Sequence, residues 1–237
     1  MHVSIPLAFG WRHLLFANWP VSTDRLAAHL PDVLAVDEYD GTGWVSIIPF
    51  VNVKTRPRGL PAWTGIRLPE LNVRTYVTYG GEPGIYFFSL DAQGLLSVLG
   101  ARLTHYLPYY YARGRFRWTD GQVNVVSRRC HPGDRPAAFE ASYWPAGEPF
   151  VAEPDSLEEF LTERRRLYTQ APDGTVHYTD VDHERWTLYP AEMAVDENTL
   201  FKANSLPSPN TQPELYYSPG VDVETSRSEP LYSTNAR

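Results

Sequence analysis

Glu70, Asn72, Arg74 and Tyr76 occupy alternate positions of the segment ELNVRTYV (70–77). On a β-strand that spacing places a carboxylate, an amide, a guanidinium and a phenol on one face. Such a set can bind a small organic anion, with the arginine as a bidentate clamp and an acid as proton donor or acceptor. The next run, GIYFFSLDA (84–92), folds back on it if GGEP (80–83) forms a four-residue hairpin loop. Tyr79 then pairs with Gly84, and the register sets Phe87 opposite Tyr76, Ser89 opposite Arg74 and Asp91 opposite Asn72. Ser89 and Asp91 thereby join the polar face, whereas Val73, Thr75 and Val77 with Leu90, Phe88 and Tyr86 form an apolar one. Glu70 lies ~13 Å from Arg74 along a straight strand, so the two would hold opposite ends of a ligand lying over Asn72. The same alternation also fits the solvated face of a half-exposed sheet, and Asp91 equally suits a helix N-cap.

Other chemistry-bearing residues are scattered. Arg164 falls on the apolar stripe Leu157, Phe160, Leu161, Tyr168, where an unpaired guanidinium would be costly. It needs a structural acid partner, or else it joins Arg74 in lining one interior cavity. His105, just before LPYYYA (107–112), is a candidate general base beside Glu70 and Asp91. The seven histidines make no compact zinc pattern, and no P-loop, GxGxxG or GxSxG is present. No metal or cofactor is expected. The single Cys130 excludes an intramolecular disulfide.

The elements that must position these residues are mostly strands. They are expected at Trp44 to Val53, Val73 to Tyr79, Gly84 to Leu90, Tyr109 to Trp118, Val123 to Arg128, Ala138 to Trp144, Thr175 to Val181, Arg185 to Tyr189 and Val221 to Thr225. Turns such as DGTG (40–43), TDGQ (119–122) and PDG (172–174) separate them at short intervals. Helices are expected from Ser22 or Thr23 to Leu30, from Asp91 or Ala92 to Leu103, from Ser156 to Tyr168, and from Pro190 to Asn204. A mainly β (α+β) chain with this punctuation reads as a barrel or sandwich. No linker divides it, so residues 1–237 are expected to form a single domain, with 226–237 a frayed tail.

Composition narrows the partners. With 237 residues, 43% of them apolar, wholesale disorder is excluded. A net charge of −7 argues against nucleic acid, and Arg113, Arg115 and Arg117 read as a solvated strand face. No apolar run approaches the ~20 residues of a spanning helix, and the N-terminus lacks signal-peptide features. A soluble cytoplasmic protein without a membrane partner is expected, and homo-oligomerisation is left open. The chain holds 19 arginines but only two lysines, Lys54 and Lys202, which restricts any lysine mechanism to those two.

The blocks ELNVRTYV, GIYFFSLDA, LPYYYA, LTERRRLYT (161–169) and LYYSPGVDV (215–223), with FANWPV (16–21) and YDGTGWVSIIPF (39–50), resemble the YqjF-like family of the acetoacetate decarboxylase-like superfamily. The resemblance implies a closed antiparallel β-barrel with an internal cavity and a few flanking helices. It turns the polar hairpin face inward and makes Glu70 and Arg74 counterparts of the decarboxylase's cavity acid and arginine. That decarboxylase attacks its ketone with a lysine whose neighbouring lysine depresses its pKa. No adjacent-lysine pair exists here, so Schiff-base decarboxylation is not expected. Three readings follow. One is a barrel binding a small organic anion (a carboxylate or keto acid), with any catalysis being lyase-like or acid/base chemistry. The second is a non-catalytic binder of an apolar small molecule, with Tyr76 and Phe87 in the pocket wall. The third is a structural or assembly protein whose polar cluster is only a core network.

Overall fold

Strands take up nearly all of the apolar sequence in the computed structural model, which describes residues 5–94, 106–130 and 135–231. In chain order they are β1 (Leu7–Val21), β2 (Ala35–Val36), β3 (Gly43–Pro57), β4 (Ile66–Tyr79), β5 (Glu82–Ala92), β6 (Tyr109–Thr119), β7 (Gln122–Arg129), β8 (Ala138–Pro145), β9 (Arg166–Gln170), β10 (Val176–His183), β11 (Tyr189–Asn198), β12 (Glu214–Thr225) and β13 (Glu229–Pro230). Short helices α1 (Thr23–Ala27), α2 (Leu157–Thr162) and α3 (Leu200–Ala203) flank them.

Pairing closes the sheet on itself twice. A nine-strand circuit runs β4–β5–β6–β7–β8–β11–β12–β1–β3 and back to β4. A seven-strand circuit shares β12, β1, β3, β4 and β5 and is completed by β9 and β10. Pairing is antiparallel except where β5 forks, with Ile85 and Tyr86 parallel to β9 and Leu90 to Ala92 parallel to β6. Closure leaves the shared wall no open edge, and its two faces each carry a core. Leu15, Ala17, Val45, Ile47, Leu71 and Val73 pack with Val125, Phe139 and Tyr143 on the nine-strand side. Phe16, Ile48, Phe50, Tyr76, Phe87 and Leu90 pack with Leu161 and Trp186 on the seven-strand side.

Several elements differ from the pattern-based expectation. β1 went unread because Gly10, Asn18 and Pro20 interrupt its apolar run. Ser156 does cap α2, its hydroxyl accepting from Glu159 N–H, but the helix stops at Thr162. The next residues bridge β5 and β10 as β9, and Tyr168 is fully buried there; pairing overrides the helical spacing. Tyr189, Ala191 and Met193 turn toward the core at a period of two, so Pro190 to Asn198 is strand and only Leu200–Ala203 is helix. Asp91 and Ala92 end β5 rather than start a helix, and residues 95–103 of that expected helix lie outside the described residues. The expected tail begins too early: β13 pairs with His177 and Tyr178, and Ser226 N–H donates to Asp180 O, so 226–231 are held.

Gly220 meets β1 closely. Its φ is +125°, and a Cβ there would stand 1.9 Å from Trp11 O. Gly220→Ala is therefore expected to destabilise the fold by at least about 2 kcal/mol, seen as a lower denaturant midpoint with an unchanged m-value.

Candidate functional site

Glu70, Asn72, Arg74 and Tyr76 are all buried, and all face the seven-strand side. Ser89 and Asp91 do not join them. The hairpin turns on Gly80 and Gly81 alone, with φ of +59° and +87°, so Tyr79 pairs with Glu82 rather than Gly84. That register puts Phe87 opposite Arg74, and a bulge at Phe88 then shifts it, putting Ser89 opposite Val73 and Leu90 opposite Asn72. Ser89 instead accepts from Asn204 Nδ2 at 3.1 Å, beside α3. Asp91 forms a two-point ion pair with Arg129, at 2.7 and 3.2 Å, with both side chains 2% exposed. Tyr110 lies under that guanidinium, 4.1 Å from ring centroid to Cζ.

The polar face divides into two layers. In the first, Arg74 Nη2 and Tyr76 Oη donate to Leu161 O at 2.9 and 2.8 Å, tying β4 to α2. Ser46 Oγ lies 2.6 Å from Tyr76 Oη and donates to Asn18 Oδ1 at 2.6 Å. Arg164 follows α2 rather than riding on it. Its Nη1 is 2.6 Å from Asp37 Oδ2, and it lies over Phe160 and Tyr76. Burial lowers its pKa and the Asp37 carboxylate opposes that shift. Arg164 thus has the acid partner its position demanded, and neither it nor Arg74 lines the cavity described next.

The second layer is Glu70 and Asn72, which do line a cavity of about 340 Å³ inside the seven-strand circuit. That volume falls in the range of small-molecule pockets, about 300–1,000 Å³. Trp11, Phe50, Phe87, Leu90, Leu107 and Leu167 give apolar walls, and the cavity opens past the exposed Ile5 and Ile66. Bulges at His13 and Lys54, both with positive φ, keep residues on either side of them facing this interior. Glu70 Oε2 accepts from Asn52 Nδ2 and from Tyr109 Oη, each at 2.9 Å. Burial nevertheless raises Glu70 from 4.5 to about 7, because those two bonds only partly offset desolvation. Tyr109 is pushed well above its ordinary value by burial and by the Glu70 charge, so it remains a proton donor. Asn72 Oδ1, Thr55 Oγ1 and Thr179 Oγ1 are buried polar atoms of the cavity wall without a hydrogen-bond partner among the described residues.

Asn52 and Tyr109 line the cavity and bond Glu70, although the sequence pattern did not single them out. Asn52 was legible as a polar break at inward parity in β3, after Ile48 and Phe50, whereas nothing local marked Tyr109 as more than packing. His105 lies outside the described residues. Lys54 and Lys202 are both exposed, and neither lines the cavity. Arg113, Arg115 and Arg117 are exposed, as a solvated strand face requires. No helix among the described residues is long and apolar enough to cross a membrane.

A closed barrel around such a cavity is the acetoacetate decarboxylase-like fold. Acetoacetate decarboxylase from Legionella pneumophila is similar over 98% of this chain and 90% of its own, with a TM-score of 0.66 at 14% identity. The enduracididine biosynthesis enzyme MppR complexed with pyruvate matches 98% of this chain and 92% of its own, with a TM-score of 0.69 at 11% identity. The chain itself belongs to the DUF2071 family of uncharacterized conserved proteins, whose model matches residues 8–222. It is 46% identical over 214 residues to the uncharacterized protein YqjF of Bacillus subtilis (strain 168), spanning 90% of this chain and 87% of that one.

Proposed function

We propose that the protein takes a small, largely apolar molecule into the seven-strand barrel and holds its polar end against Glu70 and Asn72. The supporting observation is the cavity itself: apolar walls, with one buried carboxyl that titrates near neutral pH. A group with that pKa can give or take a proton under physiological conditions, so Glu70 is the candidate acid or base and Asn52 and Tyr109 position it. Schiff-base chemistry has no lysine to use in this cavity.

A small keto acid is the second reading, favoured by the pyruvate complex of MppR on the same fold. Under that reading the clamp cannot be Arg74 as it stands, since Arg74 is directed to Leu161 O. Among the described residues the cation of the cavity wall is Arg56, and its guanidinium already donates to Lys54 O and Leu60 O.

Thermal shift with small ketones, alcohols and carboxylates tests both readings. A bound ligand at a hundredfold excess over its Kd should stabilise the protein by about 2.7 kcal/mol. Ala92→Leu, which narrows the cavity opposite Glu70, should remove that shift while leaving the unliganded transition in place. If no compound of any head group moves the midpoint, the binding function is refuted.

A further inference from the structure

Resting on the cavity reading above, we infer that the ligand is an apolar amine, whose ammonium group pairs with Glu70 inside an aromatic wall. Glu70 is 5% exposed, yet it has no ion-pair partner among the described residues. The titratable or charged groups among the described residues lining the cavity are Glu70, Tyr109 and Arg56. Arg56 sits toward the mouth, between this cavity and the outer surface, and is engaged with backbone carbonyls. Asp91, on the neighbouring strand, faces away and is matched by Arg129. Among the described residues the interior therefore holds one acid and no cation beside it.

Hydrogen bonding points the same way. Both donors that reach Glu70, Asn52 Nδ2 and Tyr109 Oη, go to Oε2, and Oε1 accepts no hydrogen bond among the described residues. Asn72 Oδ1 is a second acceptor without a donor, on the same strand face two residues along. An ammonium brings three donors and no acceptor, which matches a site with acceptors to fill. Trp11, Phe50, Phe87 and Tyr109 surround the space, and aromatic faces attract a cation further once it is out of water. A carboxylate would meet Glu70 as a like charge in the same enclosed space, with no cation beside Glu70 among the described residues to offset it. An alcohol could use one acceptor but would leave the buried carboxylate without a counter-charge.

The test is isothermal titration of the full chain with hexylamine, hexan-1-ol and hexanoate, which share one apolar chain. At about pH 8 the amine should bind at least tenfold tighter than the alcohol, with hexanoate the weakest. Between about pH 8 and about pH 5.5 the amine's affinity should fall roughly 30-fold, because a group titrating near 7 must then lose its proton on binding. Alcohol binding should change little over that range. Glu70→Gln should erase the preference for amine over alcohol, and its retained alcohol binding reports that it is folded. If hexanol or hexanoate matches the amine at about pH 8, the amine assignment is wrong while the cavity reading stands. If none of the three binds, both fall.

Discussion

Glu70→Gln should stabilise the protein relative to the native chain by an amount that grows as pH rises from about 4.5 to about 7 and stays constant above that. The unfolded carboxyl titrates at 4.5 and the folded one at about 7. Below 4.5 the group is protonated in both states and contributes no difference. As pH rises through that interval, the unfolded chain sheds its proton while the folded chain retains it. The folded state then loses stability progressively, and the loss is complete above about 7. Two and a half pH units correspond to about 3 kcal/mol. A glutamine keeps an acceptor for Asn52 and Tyr109 and carries no ionisable group. Unfolding free energies from urea melts between about pH 4 and about pH 8.5 should therefore diverge by up to that amount, with the native chain declining and the variant nearly flat. Parallel curves would mean that Glu70 is not desolvated as the cavity geometry requires.

The second large effect is at the opposite face of the same wall. Asp91→Ala removes one half of a fully enclosed ion pair and strands the Arg129 guanidinium over Tyr110. Breaking a buried pair from one side costs about 3–5 kcal/mol, a large part of the 5–15 kcal/mol that typically holds a domain together. A midpoint of thermal unfolding roughly 10 °C lower is expected for a chain of this size. Replacing both residues by apolar ones, Asp91→Leu with Arg129→Met, should recover most of the loss, since no uncompensated charge then remains. A double variant as unstable as the single one would show that the backbone, rather than the charge pair, depends on these side chains.

These two carboxylates mark how far sequence reasoning reached. Parity along ELNVRTYV was enough to put Glu70, Asn72, Arg74 and Tyr76 on one face, and that face is interior. The partner strand was harder. Counting outward from a four-residue loop assigns Asp91 and Ser89 to the ligand side, but the turn uses two glycines and a bulge at Phe88 inverts everything beyond it. A single-residue slip thus moved Asp91 from a supposed site to a structural pair. Arg164 was legible as needing an acid, but not which acid, because Asp37 is 127 residues away. Most strands of the chain's middle were readable from alternation. β9 and β11 were not, since their residues carry helical spacing as well and only pairing with β10 and β8 decides between the two. The closed barrel came from resemblance; local pattern could not have told it from a sandwich.

The shared wall also dictates an order of events in the making of this protein. Both circuits pass through β12, whose residues 214–225 pair with β1 near the other end of the chain. Neither ring can close until β12 has left the ribosome. Until then the inward faces of β1, β3, β4 and β5, including Phe16, Ile48 and Phe87, have no opposite wall. Contacts this distant in sequence make for slow folding and a prolonged interval of exposed apolar strand. The cavity with its buried acid thus comes into being only once β12 has paired with both β1 and β10, and the growing chain carries exposed apolar strands until then.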